Sequence, residues 1–275
     1  MNTFELFNSD IPKREKRLLL LAGPCQIESL EHCLMIAEKL QEATRDLPLE
    51  VVFKSSFDKA NRTSIDGTRG IGLDEGLSVL LKVHEQSGLP TVTDIHSSEQ
   101  AKPAAQAVQM LQIPAFLCRQ TDLLIAAGKT KIPLNIKKGQ FLHPKDMKYA
   151  AEKAKAGGAT EIALCERGTC FGYRDLVVDP RSFPMMRELG YPVIFDGTHS
   201  VQSMGGAGGS SGGAREFIPA LTRAAAAVGI DGLFLEVHEE PSRAPSDGTN
   251  MLPINELRSA MEAVCQIHEL VAQMS

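Results

Sequence analysis

The sequence predicts an eight-stranded β/α barrel that forms a single domain over residues 1–275. Short apolar runs recur along the chain, each is followed by a segment with helical spacing or composition, and there are eight such pairs. Parallel strands need a crossover at every return, so this strict alternation predicts a parallel sheet that eight units can close into a barrel. A doubly wound open sheet is the alternative.

The predicted elements fill the chain without an internal boundary. No linker, change in composition or short-period repeat divides them, and a short N-terminal extension of about residues 1–16 precedes the first strand. The predicted strands cover residues 17–22, 50–55, 90–95, 108–113, 132–137, 161–165, 192–196 and 232–237. The predicted helices cover residues 29–43, 74–86, 98–107, 122–127, 144–156, 182–189, 215–228 and 255–274.

The composition argues against several classes of partner. The chain is 43% apolar and 23% charged with a net charge of -5, which gives it no general attraction to nucleic acid or to acidic membranes. No segment approaches the roughly 20 apolar residues that span a bilayer. The basic stretch 13–17 and the apolar run 18–21 faintly imitate a signal peptide, but the run is too short. Six cysteines without a Cys-x-x-Cys pair predict reduced thiols in the cytoplasm.

Basic side chains are predicted to gather at the carboxyl ends of the strands, the face where such barrels place their chemistry. Because burying mutually repelling charges without counterions is costly, this convergence predicts a ligand with more than one anionic group. A solvated loop is the alternative for the cluster after the second strand. The basic residues at successive strand ends are Lys54, Lys59, Arg62, Arg69, His96, Arg119, Lys137 and Arg167.

A second set of side chains, after the first, seventh and eighth strands, has the chemistry of metal ligands. It consists of Cys25, His199, Glu236 and Asp247. These strands become neighbours when a barrel closes, so the set predicts a mixed site for a divalent first-row metal. Taken singly, Cys25 is equally a small buried cysteine, His199 a general base or core group, and Glu236 a salt-bridge partner.

The glycine-rich stretch 205–213 follows the seventh predicted strand. It lacks the dinucleotide fingerprint and the P-loop lysine pattern, so no nucleotide cofactor is expected. A phosphate cradle at a helix N-terminus stays open, but the composition favours a mobile lid beside the site.

At these residues, and over nearly its full length, the chain resembles the 3-deoxy-D-manno-octulosonate 8-phosphate synthase family. The motifs that carry the resemblance are GPC at 23–25, FKSSFDKANRTS at 53–64, PAFLCRQTD at 114–122, NIKKGQF at 135–141, CERG at 165–168, FDGTHS at 195–200 and EVH at 236–238.

The resemblance implies an enzyme that condenses phosphoenolpyruvate with D-arabinose 5-phosphate and water, giving 3-deoxy-D-manno-octulosonate 8-phosphate and inorganic phosphate. Both substrates are small anions, in line with the basic strand ends. The resemblance further implies lipopolysaccharide precursor synthesis in the cytoplasm of a Gram-negative type of cell. It also implies a homotetramer in which Arg119 reaches a neighbouring active site.

The substrate contacts follow from the same resemblance, whereas the catalytic residues follow from a mechanistic hypothesis in which Lys137 and Arg167 stabilise the phosphate charge and the proton carrier stays open. The expected catalytic residues are Lys59, Lys137, Arg167, His199 and Asp247. The expected contacts of phosphoenolpyruvate are Lys54, Lys59, Gln112, the Ala115 backbone, Lys137, Gln140 and Arg167. The sugar phosphate would take Asn61, Arg62, Thr63 and Arg119, and Asp94 completes the substrate-binding set. Thr63 stands where the family commonly has serine, and it retains the hydroxyl.

The family has a metal-dependent class, with cysteine at the position of Cys25, and a metal-free class, with asparagine there. Cys25 therefore indicates the metal-dependent class, and His199, Glu236 and Asp247 match its remaining ligands. Iron, zinc and manganese stay open as the metal. Two other functions also stay open: the related synthase that uses erythrose 4-phosphate, and a non-catalytic barrel that binds sugar phosphate.

Overall fold

Eight parallel strands form a closed barrel in the part of the chain that the computed structural model describes, namely residues 4–60, 65, 67–170, 175–203 and 212–274. Each strand pairs with the next, and the eighth also pairs with the first, with Leu19 opposite Gly232. This closure confirms the barrel and excludes the open sheet. The strands are β1 (Leu18–Gly23), β2 (Leu49–Lys54), β3 (Thr91–Asp94), β4 (Met110–Ile113), β5 (Leu134–Lys137), β6 (Ile162–Glu166), β7 (Val193–Asp196) and β8 (Gly232–His238).

A helix follows each strand and packs on the outside of the barrel. Ser29 caps the first helix by accepting a hydrogen bond from the His32 backbone N–H at 3.1 Å, and Ser97 and Gln100 form a capping box at the third. The helices are α1 (Leu30–Thr44), α2 (Leu73–Ser87), α3 (Ser98–Ala107), α4 (Thr121–Lys129), α5 (Met147–Gly157), α6 (Ser182–Arg187), α7 (Ile218–Val228) and α8 (Leu257–Gln273). Within the described residues, no helix is long and apolar enough to span a bilayer.

The predicted and observed elements differ by a few residues at their ends. The largest shifts in strands are two residues, at the starts of β4 and β5, which begin at Met110 and Leu134 where the pattern predicts 108 and 132. Val108 instead terminates α3, because its N–H donates to the Ala104 carbonyl at 3.1 Å. An apolar pattern alone does not distinguish a β-branched helix cap from the first residue of a strand.

The core has two layers, and alternation along each strand sorts residues between them. Leu18 and Leu20 of β1 face outward into the layer between barrel and helices, whereas Leu19 and Leu21 point into the barrel. Inside, they join residues such as Phe234 of β8. The barrel interior is therefore a packed core and not an open channel.

The N-terminal extension covers the amino-terminal end of the barrel. Phe4 and Leu6 are buried with the residues of the barrel interior, and Glu5 accepts from the Arg17 side chain at 2.8 Å. Farther along, the 3-10 turn Lys13–Glu15 packs against α8. The candidate site described next lies at the opposite, carboxyl-terminal end.

Candidate active site

The last residue of most barrel strands carries a polar or charged side chain, and these side chains are almost completely buried. Lys54 ends β2, Asp94 ends β3, Lys137 ends β5 and Asp196 ends β7. The backbone packs tightly here, because a Cβ added at Gly23 would lie 2.0 Å from the Lys54 carbonyl oxygen. A glycine at the end of β1 therefore allows the two strand ends to approach.

Glu236 lies at the centre of the site and is fully buried on β8. Its Oε1 accepts a hydrogen bond from Lys54 Nζ at 2.9 Å and lies 3.7 Å from Lys59 Nζ. Its backbone N–H donates to Thr198 Oγ1 at 2.7 Å, which fixes the end of β8 against the turn after β7. Burial alone would raise the pKa of the Glu236 carboxyl, but the charges of Lys54, His199 and Lys59 outweigh it and hold that pKa well below its usual range.

Asp196 joins the basic residues to the imidazole of His199. Its Oδ2 accepts from Lys137 Nζ at 2.6 Å and lies 2.9 Å from His199 Nδ1. The Lys137 ammonium also sits 3.4 Å from the centroid of the Phe234 ring. Burial would raise the pKa of Asp196, but His199 and Lys137 lower it far more, so this carboxylate stays ionised. Asp196 thereby fixes the orientation of two of the predicted catalytic residues.

A chain of hydrogen bonds runs from the second strand across the third, fourth and fifth. Lys59 Nζ donates to Ser56 Oγ at 3.0 Å, and the Ser56 hydroxyl donates to Asp94 Oδ2 at 2.5 Å. Gln112 donates its amide N–H to Asp94 and accepts from Asn135 Nδ2 at 2.8 Å. Each side chain is held by its neighbours, so this wall of the site is rigid before any ligand binds.

Cys25, Glu236 and Asp247 bring one ligand atom each to within 4.8 Å of one another. Cys25 Sγ lies 3.3 Å from Asp247 Oδ2, and His199 Nε2 lies 3.7 Å from Glu236 Oε2 and 3.9 Å from Asp247 Oδ2. The structure thus brings the four predicted metal-ligating residues together. Asp247 has a φ of 50°, an unusual backbone conformation for a residue with a side chain.

These four residues fit a divalent metal on three counts. The donor set of thiol, imidazole and two carboxylates suits a first-row ion. The buried Glu236 Oε2 has no hydrogen-bond partner among the described residues, which leaves an acceptor that a cation would satisfy. Burial, together with Glu236 and Asp247, raises the pKa of the Cys25 thiol, so a bound cation is what would favour its thiolate.

Arg167 lies one residue beyond β6 and is connected to the same cluster. Its Nη2 donates to Gln202 Oε1 at 2.8 Å and to the His199 carbonyl at 3.3 Å. Gln202 in turn donates to Asp247 Oδ1 at 3.2 Å. Gln202 was not predicted from the sequence, which carries no signal that distinguishes it from a surface glutamine.

The remaining predicted residues fall into three groups. Gln140 and Ala115 are buried beside the site's strand ends, whereas Arg119 is exposed on the loop before α4. Asn61, Arg62 and Thr63 lie outside the described residues, as does most of the predicted lid at 205–213. Of that stretch, Gly212–Gly213 is described, and it pairs with Gln202–Ser203 as a short antiparallel ribbon.

A second cluster of histidines and carboxylates lies near the first and was not predicted. His238 Nε2 lies 2.9 Å from Glu28 Oε1, His32 Nε2 lies 2.9 Å from Glu239 Oε2, and the two imidazole centroids are 5.0 Å apart. The backbone N–H of Glu240 donates to His238 Nδ1 at 2.9 Å. Nδ1 must therefore be the unprotonated nitrogen, so Nε2 carries the proton that Glu28 accepts.

The fold and its sequence can be compared with known protein families. A closed parallel barrel with buried lysines and a thiol–carboxylate cluster at its carboxyl end defines the chain as a (β/α)8 protein. The chain belongs to the DAHP synthetase I family, whose sequence model matches residues 10–273.

Curated relatives are similar over nearly the whole chain. A 2-dehydro-3-deoxyphosphooctonate aldolase of Synechococcus sp. is 56% identical over 93% of this chain and 90% of its own length. Proteins of the same name from Rhizobium meliloti and Desulfatibacillum aliphaticivorans are 55% and 52% identical, over 90% and 98% of this chain and 89% and 98% of their own lengths.

Proposed function

We propose that this protein condenses phosphoenolpyruvate with D-arabinose 5-phosphate and water to give 3-deoxy-D-manno-octulosonate 8-phosphate and inorganic phosphate. The name shared by the relatives supports this reaction. It describes an eight-carbon 2-keto-3-deoxy sugar acid phosphate. Breaking its C3–C4 bond in the aldol sense leaves a three-carbon pyruvate unit and a five-carbon aldose phosphate. Phosphoenolpyruvate is the activated form of the first fragment.

The observation that carries the proposal is the double role of Glu236. One of its carboxylate oxygens contacts Lys54 and Lys59, and the other lies near His199 without a hydrogen-bond partner among the described residues. The cations suited to phosphoenolpyruvate and the ligands suited to a metal are therefore contiguous. A reaction that joins an enol phosphate to an aldehyde requires such adjacency, because both reacting carbons must be held in contact.

Lys54, Lys59, Lys137, Gln140 and Arg167 are the residues we assign to phosphoenolpyruvate, together with Gln112 and the Ala115 backbone. The ammonium groups of Lys54 and Lys137 are balanced by Asp94, Asp196 and Glu236. A dianionic or trianionic substrate would compete with these carboxylates for the same ammonium groups, so it binds without leaving a cation unpaired. Asp94 is then a positioning residue, since it holds Ser56 and Gln112 in place.

In the condensation, C3 of phosphoenolpyruvate forms a bond to the aldehyde carbon of the sugar, and the aldehyde oxygen takes up a proton. Water adds to C2 and loses a proton, giving a hemiketal phosphate. Phosphate then leaves with cleavage of the C2–O bond, and C2 becomes a ketone. Lys137 and Arg167 stabilise the phosphate charge, a role worth on the order of a hundredfold or more per donor. Lys59, His199 and Asp247 are the candidate proton carriers near the reacting atoms.

Cys25, His199, Glu236 and Asp247 would hold a divalent iron, zinc or manganese ion. Such an ion acts as a Lewis acid on a bound oxygen and orients its ligands. Within the protein, Asp196 fixes the ring of His199, and Gln202 fixes the carboxylate of Asp247. Partners of this kind commonly tune metal affinity.

We further propose that the sugar phosphate binds Asn61, Arg62 and Thr63, and that Arg119 completes this site in a neighbouring subunit of a homotetramer. The exposed position of Arg119 supports an intermolecular role. Phe116 and Phe141, close to it in the fold, are 47% and 56% exposed, which is typical of aromatic residues that become buried between subunits. We place the reaction in the cytoplasm, where six free thiols stay reduced, as a step in lipopolysaccharide precursor synthesis.

The test is release of inorganic phosphate from phosphoenolpyruvate and arabinose 5-phosphate, measured before and after thorough chelation and again after each divalent metal is restored. We expect activity that is lost and then regained. Activity that survives removal of all metal would leave the reaction in place and remove the metal role of Cys25 and its partners. A protein that binds both substrates without releasing phosphate would instead be the non-catalytic barrel.

A second candidate is the related synthase that uses erythrose 4-phosphate, because the matching family is described as DAHP synthetase I. The two reactions differ only in the length of the aldose, so phosphate release with both aldoses, side by side, separates them. We expect a higher kcat/KM with the five-carbon sugar. A preference for the four-carbon sugar would reverse the assignment and keep the mechanism.

A further inference from the structure

A cleft opens on the amino-terminal face of the barrel, opposite the candidate active site. Both polar and apolar atoms line this cleft, which is partly open to solvent. The walls come from the N-terminal extension, the end of α7, the start of β8 and the last turns of α8. None of the residues proposed to bind the two substrates lines it.

The cleft is strongly basic in a chain whose net charge is -5. Five lysine and arginine residues line it, against one carboxylate, that of Asp231. Three of the five have acidic partners: Arg14 with Glu15, Arg17 with Glu5 and Arg187 with Asp231. The remaining two are Lys13 and Lys16, and neither has an ion-pair partner within the described part of the chain.

Part of this positive charge is structural. Helices end on this face with their carbonyl groups exposed, and Arg187 Nη2 donates to the Gly229 carbonyl just beyond α7 at 2.6 Å. Two further observations indicate more positive charge than the helix ends need. The Arg187 Nε–H is hidden from solvent and has no acceptor among the described residues. Burial, with Lys13 and Arg187 nearby, lowers the pKa of the His268 imidazole despite the opposing effect of Asp231.

The other walls are apolar. Leu6, Val228, Ile230 and Val271 line the cleft beside the basic residues. Leu6 and Ile230 are already buried, but Val228 and Val271 keep part of their surface exposed. A ligand with an anionic head and an apolar body would cover that surface and also contact the basic residues.

We propose that this cleft is a second binding site, for a small organic anion whose phosphate or carboxylate contacts Lys13, Lys16 and Arg187 and whose apolar body packs against Leu6 and Val271. The site is separate from the reaction and does not depend on its identity. Phosphate and carboxylate share the relevant chemistry of compact, multiply accepting anions.

The test is calorimetric titration of the metal-loaded, full-length protein with phenyl phosphate, and separately with benzoate. The double variant K13Q/K16Q removes the two cations that have no ion-pair partner among the described residues, although Lys16 donates to the Leu6 carbonyl at 3.2 Å. K102Q/K129Q removes the same charge from exposed lysines outside the cleft. We expect the wild type and the control to bind a probe with the same affinity. The affinity of K13Q/K16Q for that probe should be about tenfold or more lower. Whichever probe shows this pattern identifies the head group.

A second variant tests whether a folding defect in K13Q/K16Q, and not the loss of charge, explains a loss of binding. A272F fills the cleft from α8 and leaves every charge in place, so it should also remove the binding event. Equal binding of both probes by wild type, K13Q/K16Q and A272F would overturn the proposal, because all binding would then belong elsewhere. Absence of binding of either probe to the wild type would overturn it as well.

Discussion

Two clusters of residues of the types that ligate metals lie near the carboxyl ends of β1 and β8, and their polar atoms are hydrogen-bonded in different ways. Cys25 and Glu236 belong to the first, whereas Glu28 and His238 belong to the second, a few residues farther along the same segments. In the first, Glu236 Oε2 is buried without a hydrogen-bond partner among the described residues. In the second, His238 is already committed at both ring nitrogens.

The difference shows that residue types and distances are insufficient to identify a metal site. A histidine whose Nδ1 accepts a backbone N–H must keep its proton on Nε2, and that proton occupies the position a metal would need. Glu28 and Glu239 therefore act as hydrogen-bond acceptors that hold the loops after β1 and β8 together. The first cluster retains the buried Glu236 Oε2, an acceptor that a cation would satisfy, and in the second cluster His32 Nδ1 is likewise buried without a hydrogen-bond partner among the described residues.

The largest expected effect is from C25A, which removes a ligand of the first cluster. We expect metal binding to weaken by more than about a hundredfold, beyond the range typical of losing an outer partner, and phosphate release to fall in parallel. C33A is the matched control, because Cys33 is equally buried but lies on α1 outside the cluster. The measurement is the metal content of C25A, C33A and the wild type after gel filtration. Equal metal content in C25A and the wild type would show that the first cluster is no more a metal site than the second.

The sequence was sufficient to predict all eight strands and to bring Cys25, His199, Glu236 and Asp247 to one end of the barrel. Strand–helix alternation determines which strand ends become neighbours, so chemistry could be predicted from position along the chain. Hydrogen-bond states could not be predicted in this way. The proton on His238 depends on the backbone N–H of Glu240, which no side-chain pattern encodes.

Other features escaped prediction for related physical reasons. Lys138 and Lys137 are adjacent in sequence, yet Lys138 points the other way and pairs with Glu166 at 3.2 Å. Successive side chains along a strand point to opposite faces, so the two lysines lie on different sides of the backbone. In the sequence, both appear simply as cations at a strand end. Asp196 had a usable signal, since it ends a predicted strand three residues before His199. The packing of Phe4 and Leu6 against the amino-terminal end of the barrel had no signal in the sequence.

The next effect in size is expected from D196N, which keeps the shape of the side chain but removes the charge facing His199 and Lys137. We expect metal affinity to fall about 10- to 100-fold, the usual range for a carboxylate that orients a ligating histidine. Competition with a chelator at fixed pH measures it independently of turnover. Unchanged affinity would mean that Asp196 serves Lys137 alone and that His199 needs no orienting partner.

A smaller effect concerns acid stability and the buried carboxylate of Asp94. Burial raises its pKa, but Lys54, Lys59 and Lys137 more than offset this and hold it below the usual value. Its stabilising contribution is therefore present above the unfolded-state pKa of about 4 and is lost as pH falls below it, with a slope of at most about 1.4 kcal/mol per pH unit.

We expect D94N to be less stable than the wild type at pH 7 and to lose less stability between pH 4 and pH 2. Urea unfolding at several pH values measures both, with D122N, an exposed carboxylate on α4, as the control. Parallel pH profiles for D94N and the wild type would show that the Asp94 carboxyl is not held ionised by the lysines.

The smallest expected effect is from E28Q in the second cluster, and it tests the comparison most directly. Glutamine retains an oxygen that accepts from His238 Nε2, so only the charge is lost at a side chain that is 31% exposed. We therefore expect a loss of about 1 kcal/mol or less in the free energy of unfolding, with metal content and phosphate release unchanged. A fall in metal content comparable to that of C25A would show that His238 gives up its proton to a metal. The hydrogen bond from Glu240 would then be a feature of the metal-free state alone, and the two clusters would together form one larger site.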